Sequence, residues 1–137
     1  YVTSEDNLIL LQPTSPLRTK IHVNKALDIF VANNIDSLIS GYSPSLIPQK
    51  FFVEKSENIY EPMTQYVSQP RQIVPRFFYP NGAIYIFKVS KFIANGHKFP
   101  FNSVHYYKMS KQESLDIDTL DDLENLRKFG DVEFWQD

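Results

Sequence analysis

The chain has no cysteine. That removes thiol nucleophiles, disulfide frameworks and thiolate zinc sites together, and it fits a cytoplasmic location without demanding one. Glycine is scarce, with four residues in 137, and neither G-x-G-x-x-G nor G-x-x-x-x-G-K-[ST] occurs among them. No apolar run approaches the roughly 18 residues of a membrane span, so no membrane partner is expected. An excess of positive charge is also lacking. Lys and Arg number 14 against 16 Asp and Glu, a formal net charge of -2, which argues against a nucleic-acid binder working by phosphate neutralisation. What is present is 42% hydrophobic and 15% aromatic residues, too much for a disordered chain. A domain of this length buries roughly 68% of its unfolded surface, a core that needs no disulfide or structural metal.

The first residue is Tyr1, and the chain runs almost at once into Leu8-Ile9-Leu10-Leu11. So abrupt a start is the expectation for a fragment, or for a chain trimmed at its N-terminus. Asn7–Gln12 is a short apolar run closed by a turn cluster, which predicts a strand buried on both faces. Pro13 and Pro16 interrupt regular structure, and Thr19 is placed to cap a helix. Val23, Ala26, Leu27 and Phe30 share one face of that helix, and Asn33-Asn34 can end it. Ser37–Ser40 is the next expected strand, so the order is that of a parallel α/β unit.

From Gly41 to Pro80 prolines and scattered aromatics replace any helical period. We expect residues 41–80 to be an irregular excursion or dimerisation arm within a single partial α/β domain spanning 1–137. Gln49–Lys55 suggests an edge strand or one arm of a hairpin, and Ile59–Val67 more extended structure. Asn81-Gly82 is a turn signal before a buried strand at Ala83–Phe87. Ser90 is the expected cap of a short helix through Ala94, stopped at Gly96. Val104–Met109 reads as a strand, and Leu120, Leu123, Leu126 and Phe129 as the core stripe of a last helix.

Three local features carry chemistry. Asp116 and Asp118, two apart in Leu115-Asp116-Ile117-Asp118-Thr119, project to one side of an extended backbone just before a helix. Two hard oxygen donors there suit a Mg²⁺ carrying substrate phosphates, while the plainer reading is one helix cap and one solvated carboxylate. Gln12 ends an apolar run beside a proline turn, where ligands collect in open α/β sheets, and Arg18 follows within reach of a phosphate or carboxylate. Asn81 and Tyr85 have the parity to share a strand face, and Arg71 offers a fork matching a carboxylate. Each of these residues has an ordinary surface or core-edge reading when taken alone. His22, His97 and His105 have no sequence neighbour in nucleophile–base spacing. Phe134 and Trp135 read as packing.

Taken in order, Leu10-Leu11-Gln12-Pro13-Thr14-Ser15-Pro16-Leu17-Arg18, Arg71-Gln72, Asn81-Gly82-Ala83-Ile84-Tyr85-Ile86 and Ser114-Leu115-Asp116-Ile117-Asp118-Thr119 resemble the acylneuraminate cytidylyltransferases, the CMP-sialic acid synthetases and their bacterial relatives. The resemblance runs from Leu8 to about Phe129. It implies a Rossmann-like nucleotide-diphospho-sugar transferase fold, three-layer α/β/α and incomplete at its N-terminus. It also implies a homodimer and a reaction in which CTP and a nonulosonic acid such as N-acetylneuraminic acid give CMP-sugar and pyrophosphate. On that resemblance Asp116 and Asp118 match the catalytic, Mg²⁺-binding aspartates. Gln12, Arg71, Asn81 and Tyr85 match positions that hold the sugar acid, with Arg71 for its carboxylate. Phe99, with Phe101 as alternative, stands nearest the aromatic residues by which a partner subunit closes the sugar pocket.

The family's glycine- and basic-rich loop for the CTP phosphates is not among these residues, so productive CTP binding by the 137 residues alone is not expected. Ser45-Leu46-Ile47-Pro48 departs from the Glu/His-Pro character of sialic acid members, which leaves legionaminic or pseudaminic acid open as the sugar. A non-catalytic oligomerisation or binding remnant of the fold is the reading from another class. A synthetase for the eight-carbon acid of lipopolysaccharide fits the Asp116 and Asn81 blocks less well.

Overall fold

The computed structural model describes residues 1–46 and 48–128. Phe129, Phe134, Trp135 and Ile47, named above, lie outside the described residues. The chain forms two compact units, Tyr1–Tyr42 with the segment from Tyr79 onward, and Ser43–Phe78.

In the first unit, four strands make one mixed sheet: β1 (Asn7–Leu10), β2 (Ser37–Tyr42), β5 (Tyr79–Lys88) and β6 (His105–Lys108), in the order β1-β5-β2-β6. β5 runs antiparallel to both β1 and β2, and β2 is parallel to β6. The expected all-parallel unit is therefore corrected. β1 and β2 point the same way across their helix, but a later strand of opposite sense is laid between them. A second correction concerns β1 itself. Among the described residues it is an edge strand, not one buried on both faces, and Ile9, Leu10 and Leu11 are exposed at 36%, 49% and 39%. An apolar run reads alike in the two settings, because burial depends on neighbours supplied from elsewhere.

Helix α1 (Lys20–Ala32) begins at Thr19, whose hydroxyl accepts from His22 N–H while His22 Nδ1 accepts from Thr19 N–H. This is a capping box with histidine in the place usually held by Glu or Gln. Asn33 closes the helix and Asn34 takes the left-handed conformation at φ 47°, as the pair predicts. Ala26 and Phe30 bury their side chains against Leu38, Ile84, Ile86, Tyr107 and Met109, with Val23 and Leu27 packed at the margin. Tyr85 and Phe87, offset by one residue along β5, meet aromatic rings instead, Phe99 and Phe92. That is the alternation a strand of period two imposes.

Helix α2 (Val89–Ala94) starts directly from β5 with Lys88 at its cap position and no side-chain cap, so Ser90 lies inside it and does not cap it. Helix α3 (Leu120–Lys128) buries Leu126 but leaves Leu120 79% exposed, so the expected stripe holds only in part.

The second unit carries the hairpin β3 (Phe52–Ser56) and β4 (Ile59–Pro62), antiparallel, with Asn58 turning at φ 61°. Every residue of both strands is exposed, among them Phe52, Val53, Ile59 and Tyr60. Gln49 is the buried polar anchor of the unit, and its amide donates to the carbonyls of Tyr66 and Gln69. No helix among the described residues is long and apolar enough to cross a membrane.

Candidate functional site

The β2–β5 pairing is regular from Ser37↔Phe87 to Ile39↔Tyr85 and resumes at Gly41↔Pro80. Between these points Asn81-Gly82-Ala83-Ile84 stands opposite Ser40 alone, a wide bulge in β5. Asn-Gly, read from the sequence as a turn before the strand, is thus a kink within it. Gly82 has φ +73°, a conformation that favours glycine, and a Cβ there would overlap Gln12 Oε1. The same hypothetical Cβ would lie 3.3 Å from Gln12 Cδ and 3.9 Å from Asp116 Oδ2. The Gln12 amide and the Asp116 carboxylate, far apart in sequence, therefore converge on one bare stretch of backbone.

The bulge is held by side chains. Ser40 Oγ donates to Asn81 Oδ1 (2.6 Å) and accepts from Ile84 N–H (2.8 Å). Asn81 Oδ1 also accepts from Ala83 N–H (3.1 Å), while its Nδ2 donates to Ser114 Oγ (2.8 Å) and approaches Met109 Sδ (3.2 Å). Asn81 thus has its amide engaged on both ends inside the protein. Arg18 Nη1 donates to the carbonyls of Gln12 (2.7 Å) and Ala83 (2.9 Å), tying the end of β1 to the bulge. Its expected reach to a substrate anion is corrected to that of a clamp, and burial lowers its pKa.

The segment carrying the aspartates is pinned to the proline turn by Ile117 N–H donating to Thr14 O (2.9 Å). Asp116 Oδ1 is buried and has no hydrogen-bond partner among the described residues, an arrangement that is costly for a carboxylate unless a donor or cation meets it. Asp118 is exposed. Neither caps α3: Thr119 Oγ1 accepts from Asp122 N–H (3.2 Å), and Asp122 Oδ2 accepts from Thr119 N–H (2.9 Å). The plainer reading of the pair, with one aspartate spent on the cap, does not hold, because Thr119 and Asp122 do that work.

Tyr85 stands between the carboxylate and an aromatic wall. Burial raises its phenol pKa, and the charge of Asp116 raises it further, so the hydroxyl remains a donor at neutral pH. Its ring packs edge-on against Phe99 at 5.5 Å, and Phe99 lies 4.7 Å from Phe101. Arg71 is exposed, belongs to the second unit, and lines a cavity of about 470 Å³ with Gln49, Lys50 and Gln69.

A cavity of about 630 Å³ opens elsewhere, between α1 and the end of β6. Sequence reasoning missed what lies there. His22 Nε2 is 3.3 Å from Glu113 Oε1, a contact between residues too distant in the chain for spacing to reveal.

No family model matches the chain. Similar proteins are found by sequence. The N-acylneuraminate cytidylyltransferase of Streptococcus agalactiae serotype V is 32% identical over 121 residues, 86% of this chain and 29% of that protein. The Escherichia coli N-acylneuraminate cytidylyltransferase is 29% identical over 126 residues, 89% of this chain and 29% of its own length. Post-translational flagellin modification protein B of Campylobacter coli is 28% identical over 114 residues, covering 83% of this chain and 48% of that protein. The chain therefore spans less than a third of the cytidylyltransferases it matches. Along most of its own length, it is a sequence relative of the acylneuraminate cytidylyltransferases.

Proposed function

We propose that these residues form the sugar-acid and metal side of a cytidylyltransferase site, in a Rossmann-like three-layer fold completed by further polypeptide. The reaction joins CTP to a nonulosonic acid. The anomeric hydroxyl attacks the α-phosphorus, the bond to the β-phosphate oxygen breaks, pyrophosphate leaves and the hydroxyl proton is lost. The observation that carries the reading is the convergence of Gln12 and Asp116 on Gly82, with Asp116 Oδ1 buried and unbonded among the described residues.

That donor fits a hard divalent cation, which needs only one or two protein carboxylates when phosphates and water complete its shell. Asp116, with Asp118, would hold Mg²⁺, whose contribution when bound is to neutralise charge on the transferring phosphate. Gln12 and the neutral Tyr85 hydroxyl supply hydrogen bonds to a polyhydroxylated sugar. Phe99 offers it an apolar edge; the carboxylate role of Arg71, a residue of the second unit, is the one the family resemblance gives it. Asn81 acts through its backbone and through the bulge it holds.

The exposed apolar hairpin of the second unit supports a role in pairing subunits, since an isolated two-stranded hairpin is marginal in water. A cytoplasmic homodimer completes the proposal. The sugar remains N-acetylneuraminic, legionaminic or pseudaminic acid in this reading.

The test is a Mn²⁺ titration of the full chain followed by NMR. Broadening centred on Gly82, Asp116 and Gln12, lost in Asp116→Asn with the rest of the spectrum unchanged, supports the site. Broadening elsewhere, or persisting in the variant, rejects it.

A further inference from the structure

The strongest feature outside the proposed site is a chain of hydrogen bonds that starts on α1 and ends at the bulge. His22 occupies the third helical position, where the capping box asks for an acceptor. An imidazole satisfies that demand with one nitrogen and keeps a second. Because Nδ1 accepts from Thr19 N–H (3.2 Å), the ring proton stands on Nε2, which faces Glu113 Oε1 at 3.3 Å. His22 is largely covered, its side chain 14% exposed.

Glu113 is in turn locked to Ser110. Its Oε2 accepts from Ser110 N–H (2.9 Å), and its own N–H donates to Ser110 Oγ (3.1 Å). Ser114 Oγ donates to Ser110 O (2.7 Å) and accepts from Asn81 Nδ2 (2.8 Å). From Asn81 the chain passes to Ser40 and the backbone of Ala83 and Ile84. Two residues beyond Ser114 stands Asp116.

We propose that His22 and Glu113 are positioning residues for the site at Gly82. They fix the Ser110–Ser114 turn, and the turn sets both the Asn81 amide that shapes the bulge and the point from which the Asp116 segment departs. His22 acts on the site through its contact with Glu113. The exposed lysines of the same cavity, Lys25 and Lys108, lie outside the hydrogen-bond chain and serve as controls.

The assay is NMR on the full chain, reading the Asn81 side-chain amide pair and the Gly82, Ala83 and Ile117 backbone amides. The variants are His22→Ala, Glu113→Ala, their combination, His22→Gln and Lys25→Ala. His22→Ala and Glu113→Ala should move the same resonances, and the double variant should move them no further. His22→Gln, which keeps an acceptor for Thr19 and a donor toward Glu113, should return them toward wild type. Lys25→Ala should leave them in place.

For the metal, the Mn²⁺ concentration that broadens Gly82 should rise about tenfold in His22→Ala and recover in His22→Gln, the scale expected when residues that orient metal ligands are removed. That second readout rests on the metal reading above, whereas the amide shifts do not. A wild-type chain that ignores Mn²⁺ sinks the metal site and leaves the shifts to decide positioning. If His22→Ala only lowers the melting temperature while the Asn81 pair stays put, the proposal is overturned. Should that variant not fold, Glu113→Gln must move the same resonances by a smaller amount, and unchanged resonances overturn the proposal equally.

Discussion

Gly82→Ala adds one methyl where two separate constraints oppose it. The first is the backbone, since at φ +73° an L side chain costs about 1–2 kcal/mol. The second is the Gln12 amide, whose Oε1 the new Cβ would overlap and whose Cδ it would approach to 3.3 Å. An amide at the end of a flexible side chain can swing away, at about 1 kcal/mol for an off-rotamer torsion. Asp116 Oδ2, at 3.9 Å from the same point, is in ordinary contact and adds nothing. The expected loss is about 2–3 kcal/mol, or roughly 6–9 °C in melting temperature for a chain of this size.

Urea and thermal melts of wild type, Gly82→Ala, Gln12→Ala and the double variant separate the two terms. With Gln12 already cut back, the alanine methyl enters open space. Only the backbone term should then remain, giving a coupling of about 1 kcal/mol between the two positions. A coupling of zero refutes the Gln12–Gly82 contact, and a neutral Gly82→Ala refutes both constraints.

Three further outcomes are expected. In a complete enzyme containing these residues, Asp118→Asn should lose most activity with an unchanged circular dichroism spectrum, because the side chain is exposed and carries no structural bond; unchanged turnover in saturating Mg²⁺ removes it from the metal site. Arg71→Lys should raise the KM for the sugar acid more than that for CTP, since lysine cannot make a bidentate contact; equal effects argue against the carboxylate role. Acid should destabilise the fold. Ser110, through its hydroxyl and N–H, and then His22 hold Glu113 below its ordinary 4.5, while hydrogen bonds from Lys91 and Lys88 hold Asp36 below 3.8. Depressed carboxylates stabilise the native state above those values and lose that contribution as pH falls through the folded pKa. The urea midpoint should thus be flat near neutrality and drop below about pH 4.5, less steeply in Glu113→Gln, whereas a midpoint that climbs toward pH 3 contradicts the assignment.

What the sequence showed was what is decided locally. The Thr19 cap, the Val23–Phe30 face and the Asn33-Asn34 stop are set within a few residues, and all three stand in α1. Position in the sheet is not local. The run Leu8–Leu11 has the composition of a central strand, yet it lies at an edge, because β5 pairs with only one of its sides. Asn81-Gly82 illustrates a different limit. The dipeptide announces positive φ, but whether that serves a turn or a bulge depends on Ser40, a residue of another strand. Of the site, Gln12 and Asp116 stand out in the sequence on separate grounds, and their meeting at Gly82 is made by the fold. The His22–Glu113 pair had no trace in spacing at all.

The second unit leaves β2 after Tyr42 and returns to β5 at Tyr79, and these two residues are register partners whose rings stand 5.6 Å apart. An insertion of about 36 residues thus departs and rejoins at one closed doorway. Closing so long a span on a flexible chain costs only about 2 kcal/mol more than a four-residue turn. The sheet is therefore tolerant of what hangs from it. Lineages can lengthen, shorten or rewrite residues 43–78 around Arg71 while the Gln12–Gly82–Asp116 cluster keeps its geometry, and an engineer can graft there away from that residue.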